Sequence, residues 1–132
     1  MKNIRTLPLL LIAPMLMGCK GGTFIIAEKM ASFNSVSTMT NKGISYSFKK
    51  CNGYVIFRIN LLEDKEPTLQ NFVTVEEGTV TITVMSMDDE VLSTKELTES
   101  LDFETPLKET GKYKLKLEHV DFKGSYKIKW NQ

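Results

Sequence analysis

The only imidazole in the chain is His119, with Asp121 two residues further on. A histidine oriented by a carboxylate can act as the base that activates a serine or cysteine nucleophile. Here, though, it falls between a strand-like segment and a turn-like one, which predicts a solvent-exposed turn histidine rather than an enclosed base. Sixteen acidic side chains could in principle supply a catalytic carboxylate pair, but no spacing singles out two of them. Asp88-Asp89-Glu90 could contribute to a calcium site with carbonyls of a neighbouring loop. It lacks the spaced Asp/Asn-Gly pattern of a calcium loop, and an acidic hairpin turn accounts for it equally well. No Gly-x-Ser-x-Gly elbow, HExxH helix, P-loop or GxGxxG run occurs, so neither an enzyme nor a cofactor is predicted. Without a CxxC or Cys/His cluster no metal site is predicted either.

The N-terminal segment carries a different kind of chemistry. Lys2 and Arg5 precede an apolar run, Leu7 to Met17, interrupted only by Pro8 and Pro14. As a helix that run spans about 16 Å, too short for a bilayer core of roughly 30 Å. A charged start, a short apolar middle and a small residue at its end describe a signal peptide. Leu16-Met17-Gly18-Cys19 resembles the lipobox of bacterial lipoproteins. The resemblance implies that Gly18 is the last residue removed and that Cys19 becomes the acylated N-terminus. It implies a membrane partner, reached through the lipid, and a location outside the cytoplasm: the outer leaflet of the cytoplasmic membrane or an outer membrane. Residues 1–18 are then signal, 19–23 the lipidated cysteine with a short flexible spacer, and 24–132 the folded domain.

Lipidation of Cys19 leaves Cys51 as a single cysteine. It could form an intermolecular disulfide or serve as a reactive thiol; a half-buried small hydrophobe beside a hairpin turn is the favoured expectation. The mature chain carries 15 basic and 16 acidic side chains, giving no overall field to attract nucleic acid. The charges are segregated by segment: residues 63–104 hold twelve acids and two bases, whereas 105–132 hold seven bases and three acids.

The elements that would position these groups read as strands. Ile44, Tyr46 and Phe48 alternate with polar residues, and the sequence after them, Cys51-Asn52-Gly53, predicts a tight hairpin turn. Tyr54 to Leu62, Asn71 to Val75, Thr79 to Met87 and Val91 to Leu97 follow, with Glu76-Glu77-Gly78 as a further turn. Glu99 to Glu104 reads as a short edge strand stopped by Pro106, and Met30 to Phe33 as at most one helical turn. In Lys112 to Leu117 and Ser125 to Trp130 the alternation is unbroken, with His119 to Gly124 as the connection. Tyr113, Leu115, Leu117, Tyr126, Ile128 and Trp130 should face the core. The pattern predicts an all-β antiparallel β-sandwich, jelly-roll or Ig-like, of about eight strands. The ending Gly111-Lys-Tyr113 with Lys123 to Trp130 looks like the last two strands of small exported bacterial sandwich and jelly-roll modules.

If those last two strands pair, Lys112, Lys114, Lys116, Lys127 and Lys129 share one face, a candidate contact for an anionic surface. The alternative is a solvated face that discourages edge association. With Trp130 on the core side, stacking on a sugar is disfavoured, and a non-catalytic binding or adhesion module for a protein partner is the expected function. The alternative is an envelope component that self-associates or joins a membrane complex.

Overall fold

The computed structural model describes residues 23–61 and 67–130; Gly18, Cys19 and most of the spacer lie outside the described residues. Seven strands occur among them: β1 (Phe24–Phe33), β2 (Val36–Thr40), β3 (Gly43–Leu61), β4 (Thr68–Ser86), β5 (Val91–Leu97), β6 (Leu101–Pro106) and β7 (Gly111–Trp130). All pairings are antiparallel. Three of the strands are 19 or 20 residues long, more than twice the usual length.

Each long strand bends once, and the alternation of its side chains records where. In β3 the buried positions are Ile44, Tyr46 and Phe48, then Cys51, Val55, Phe57, Ile59 and Leu61. In β4 they are Leu69, Asn71 and Val73, then Val80, Ile82 and Val84; in β7, Tyr113, Leu115, Leu117 and His119, then Phe122, Tyr126, Ile128 and Trp130. The parity of the inward set switches once per strand. A switch of this kind requires an extra residue, which is what a β-bulge inserts. The ladders shift register at those places, between Phe48 and Gly53 and between Val75 and Thr79. Gly53, Gly78, Asp121 and Gly124 adopt positive φ along the crease. A Cβ on Gly78 would lie 2.1 Å from the Asp121 carbonyl oxygen, so only glycine lets β4 and β7 approach so closely.

The crease folds one continuous sheet into two layers. Layer one runs β2, the first half of β3, the end of β7, the start of β4, and β6. Layer two runs β1, the second half of β3, the start of β7, the end of β4, and β5. Apart from the extra edge strands β1 and β2, this is the strand order of a jelly-roll, not of an immunoglobulin sandwich. The core lies between the layers. Tyr46 and Phe57, on opposite halves of β3, bring their ring centroids within 6.0 Å, and Phe48 meets His119 edge-on at 5.2 Å. All six residues expected to face the core from β7 are buried, and Trp130 donates its indole N–H to the Asn41 carbonyl at 2.8 Å.

Several local expectations are corrected. Asn52-Gly53, Glu76-Glu77-Gly78 and His119–Gly124 are bulges inside continuous strands, not turns between strands. Met30 to Phe33 ends β1 rather than forming a helical turn. Strands β1 and β2 are separated at Asn34, whose φ is 51°.

Candidate functional site

The bend in β7 determines where its lysines go. Lys112, Lys114 and Lys116 lie on the part of the strand in layer two, Lys127 and Lys129 on the part in layer one. All five alternate with buried residues, so they point outward. The two rows therefore sit on opposite outer faces of the sandwich and do not form one basic face, because the segments carrying them do not pair with each other.

On the outer face of layer one, two rows of side chains cross all five strands. Thr38, Ser45, Lys127, Phe72 and Asp102 are successive cross-strand partners, and so are Thr40, Gly43, Lys129, Gln70 and Glu104. At about 4.8 Å per strand each row spans roughly 19 Å. Phe72 is 40% exposed, and the Lys129 ammonium lies 5.9 Å from its ring centroid. The absence of a side chain at Gly43 helps open a depression of about 220 Å³ bordered by Thr38, Thr40, Ser45, Lys127 and Lys129. Beyond Phe72 a second depression, of about 340 Å³, is bordered by Gln70, Asp102 and Glu104. The face thus offers ammonium donors, carboxylate acceptors, an amide and hydroxyls that do both, and one apolar ring. Sequence reasoning picked out Lys127 and Lys129 but missed Gln70, Phe72, Asp102 and Glu104. Their signal was the polar phase of alternation over Thr68 to Thr74, with a phenylalanine where a polar residue belonged.

The groups considered for chemistry lie elsewhere. His119 is only 2% exposed, contrary to the turn position expected of it. Its Nδ1 lies 2.9 Å from the Gly53 carbonyl oxygen, which can only accept, so Nδ1 carries the proton. Nε2 then accepts from the Tyr126 hydroxyl at 2.9 Å. Burial lowers the His119 pKa, outweighing the Gly53 hydrogen bond that raises it. Both ring nitrogens are committed to the core, while Asp121 pairs with Asn52 through its backbone N–H (2.9 Å) and its carboxylate (3.2 Å). No His119–Asp121 relay forms. Cys51 is fully buried rather than half-buried, and its thiol donates to the Met30 thioether at 3.7 Å. Burial, with Glu28 adding to it, pushes its pKa up to about 11. In the acidic turn, Asp89 pairs with Lys114 at 2.6 Å. Among the described residues no three carboxylate, imidazole or thiol groups converge as a metal site would require.

No family model and no curated protein matches this chain. Among solved structures it is similar to TmCBM61 in complex with β-1,4-galactotriose, at 10% identity and a TM-score of 0.44 over 86% of this chain and 89% of that one. It is also similar to a mutant of the family 29 carbohydrate-binding module CBM29-2 complexed with mannohexaose (10% identity, TM-score 0.43, 83% and 89% covered). The carbohydrate-binding module CBM36 in complex with calcium and xylotriose gives 10% identity and a TM-score of 0.39, over 83% of this chain and 98% of that one. Similarity at this level carries no argument about a ligand.

Proposed function

We propose that this chain is a non-catalytic binding module, exported and held at a membrane by lipid on Cys19, whose layer-one outer face holds an extended polyhydroxylated ligand such as a glycan. The supporting observation is the double row centred on Phe72 and Gln70. Sugar hydroxyls both donate and accept, and this face pairs donors (Lys127, Lys129) with acceptors (Asp102, Glu104) around a ring that can cover the apolar side of a sugar. An open face of five strands with two shallow depressions suits a chain better than a compact molecule, which would be enclosed in a deeper pocket. Asp102 and Glu104 are exposed, and among the described residues they border an open depression that would not exclude water or fix a scissile bond, so binding without turnover is the reading favoured.

Titrating the protein with a panel of neutral and anionic polysaccharides and wall-derived glycans tests this proposal. At least one should bind, and Phe72→Ala and Gln70→Ala should each weaken it about tenfold, or about 1.4 kcal/mol, without loss of fold. No binding across the panel, or unchanged affinity in both variants, would contradict it.

A second reading, a protein partner or self-association, has its own support in the β1–β2 edge. Strand β2 contains no charge and no proline, the usual guards of an open edge. Phe33 at the end of β1, and Val36 and Met39 on β2, are 61%, 69% and 44% exposed. A dimer seen by sedimentation and abolished by Met39→Lys would favour that reading.

A further inference from the structure

We propose that Asn71 is a positioning residue for the layer-one face, binding β6 from within the core so that Asp102 stands beside Phe72 and Glu104 beside Gln70; this rests on the reading of that face as the ligand surface. Asn71 is 1% exposed and takes an inward position between Leu69 and Val73, both buried. Alternation alone calls for an apolar side chain there, and a buried amide lowers stability unless its hydrogen bonds are made. Its Nδ2 donates to the Phe103 carbonyl at 3.1 Å and to the Thr105 hydroxyl at 3.2 Å. A carbonyl can only accept, so the Phe103 contact fixes which way the amide points. Oδ1 is buried and finds no partner among the described residues, which makes the amide a costly choice for a core position. Both of its bonds to another strand land on β6, on the two residues that flank Glu104.

Strand β6 needs such a fastener. Its ladder runs to β4 alone. Of its three inward residues Leu101 is 42% exposed, Phe103 is half-buried and Thr105 is buried. A strand that buries so little apolar surface has a weakly specified register. A slip of one residue would turn Asp102 and Glu104 into the core, which their charge opposes. A slip of two keeps both outward and keeps Leu101, Phe103 and Thr105 inward, so the hydrophobic pattern barely resists it. It would nevertheless set Glu104 beside Phe72 or Asp102 beside Gln70, and carry the other carboxylate one row further along the face. Either slip also moves Phe103 two residues away from Asn71 and breaks the bond to its carbonyl. The ends of the segment have their own ties: the Val75 N–H donates to the Ser100 hydroxyl at 3.0 Å, and the Leu107 N–H to the Pro67 carbonyl at 2.8 Å. Asn71 acts between them, where the two carboxylates stand.

The test compares the full chain with the double variant Asn71→Leu/Thr105→Val, in which both partners become apolar side chains of similar shape and global stability changes little. Amide exchange at Phe103, Glu104 and Thr105 should quicken about tenfold relative to Ile82 and Leu115 in layer two. Affinity is measured for cellohexaose and for hexagalacturonate. Whichever binds the unsubstituted chain should bind the variant about fivefold more weakly. Unchanged exchange in β6, or an increase shared equally by layer two, overturns the positioning role and leaves the ligand reading in place. Faster exchange in β6 with unchanged affinity also overturns it, because the placement of the strand would then not matter to the ligand. If neither probe binds the unsubstituted chain, it is the ligand reading that fails, and the exchange contrast still decides whether Asn71 fixes β6. Should the double variant fail to fold, Thr105→Val alone, which keeps the bond to the Phe103 carbonyl, should show the same contrast at smaller size.

Discussion

His119 and Tyr126 stand seven residues apart on one strand, yet the Nε2 of the first and the hydroxyl of the second are 2.9 Å apart. A straight strand would separate them by about 23 Å. Their hydrogen bond exists because β7 folds back at the crease, and the other ring nitrogen ties the same histidine to Gly53 at the bend of β3. The one residue suited to general base chemistry is thus a structural fastener across the fold line.

Removing the hydroxyl in Tyr126→Phe leaves Nε2 buried with no donor. The expected loss is about 1–3 kcal/mol, read as a lower midpoint in chemical denaturation with unchanged slope. A loss below about 0.3 kcal/mol would mean that the hydrogen bond is not formed in solution.

The same burial makes stability depend on pH. The folded-state pKa of His119 is depressed below the unfolded value of about 6.5. Below that value the unfolded chain binds a proton that the native chain refuses. Stability should therefore fall as pH drops through 6.5 toward the depressed pKa, and be fully retained above 7. Denaturation midpoints from pH 7.5 to 5 should show this slope, and His119→Gln should flatten it.

Gly78 and Gly111 both have positive φ, 75° and 136°, but differ in surroundings. A Cβ on Gly78 meets backbone atoms of Val120 and Asp121 at 2.1 to 2.4 Å, whereas one on Gly111 meets nothing within 4 Å. Gly111→Ala suffers only the conformational cost of about 1–2 kcal/mol. Gly78→Ala must also push β4 and β7 apart at the crease, and should melt at a clearly lower temperature. Equal melting temperatures would argue against the close approach of the two strands.

Cys51 should be silent toward thiol reagents in the folded protein. With its pKa near 11, about one thiol in a thousand is ionised at pH 8, and the sulfur is enclosed. Labelling under native conditions should follow global unfolding and accelerate sharply in denaturant. Fast native labelling would show an accessible thiol.

Strand existence and the inward side chains of β7 were legible because alternation reads directly as facing. The crease was misread for a physical reason: Asn52-Gly53 and Glu76-Glu77-Gly78 carry the same residues whether the chain reverses in a hairpin or kinks at a bulge, since both need positive φ. What distinguishes the cases is the parity switch recurring in three strands, visible only when they are set side by side. Strand β1 escaped notice because an edge strand with mostly exposed side chains has no alternation to detect. The layer-one site was half legible. Its lysines stand out along one strand, but Phe72, Gln70, Asp102 and Glu104 join them only through pairings between β7, β4 and β6 that no local pattern encodes.

The central claim, that the outer face of layer one is the ligand surface, is tested most directly by mapping backbone amide shifts during titration with the best-binding glycan. Shifts should cluster at Ser45, Gln70, Phe72, Asp102, Glu104, Lys127 and Lys129 and spare Lys112, Lys114 and Lys116. Shifts concentrated along β1 and β2, or on layer two, would contradict it.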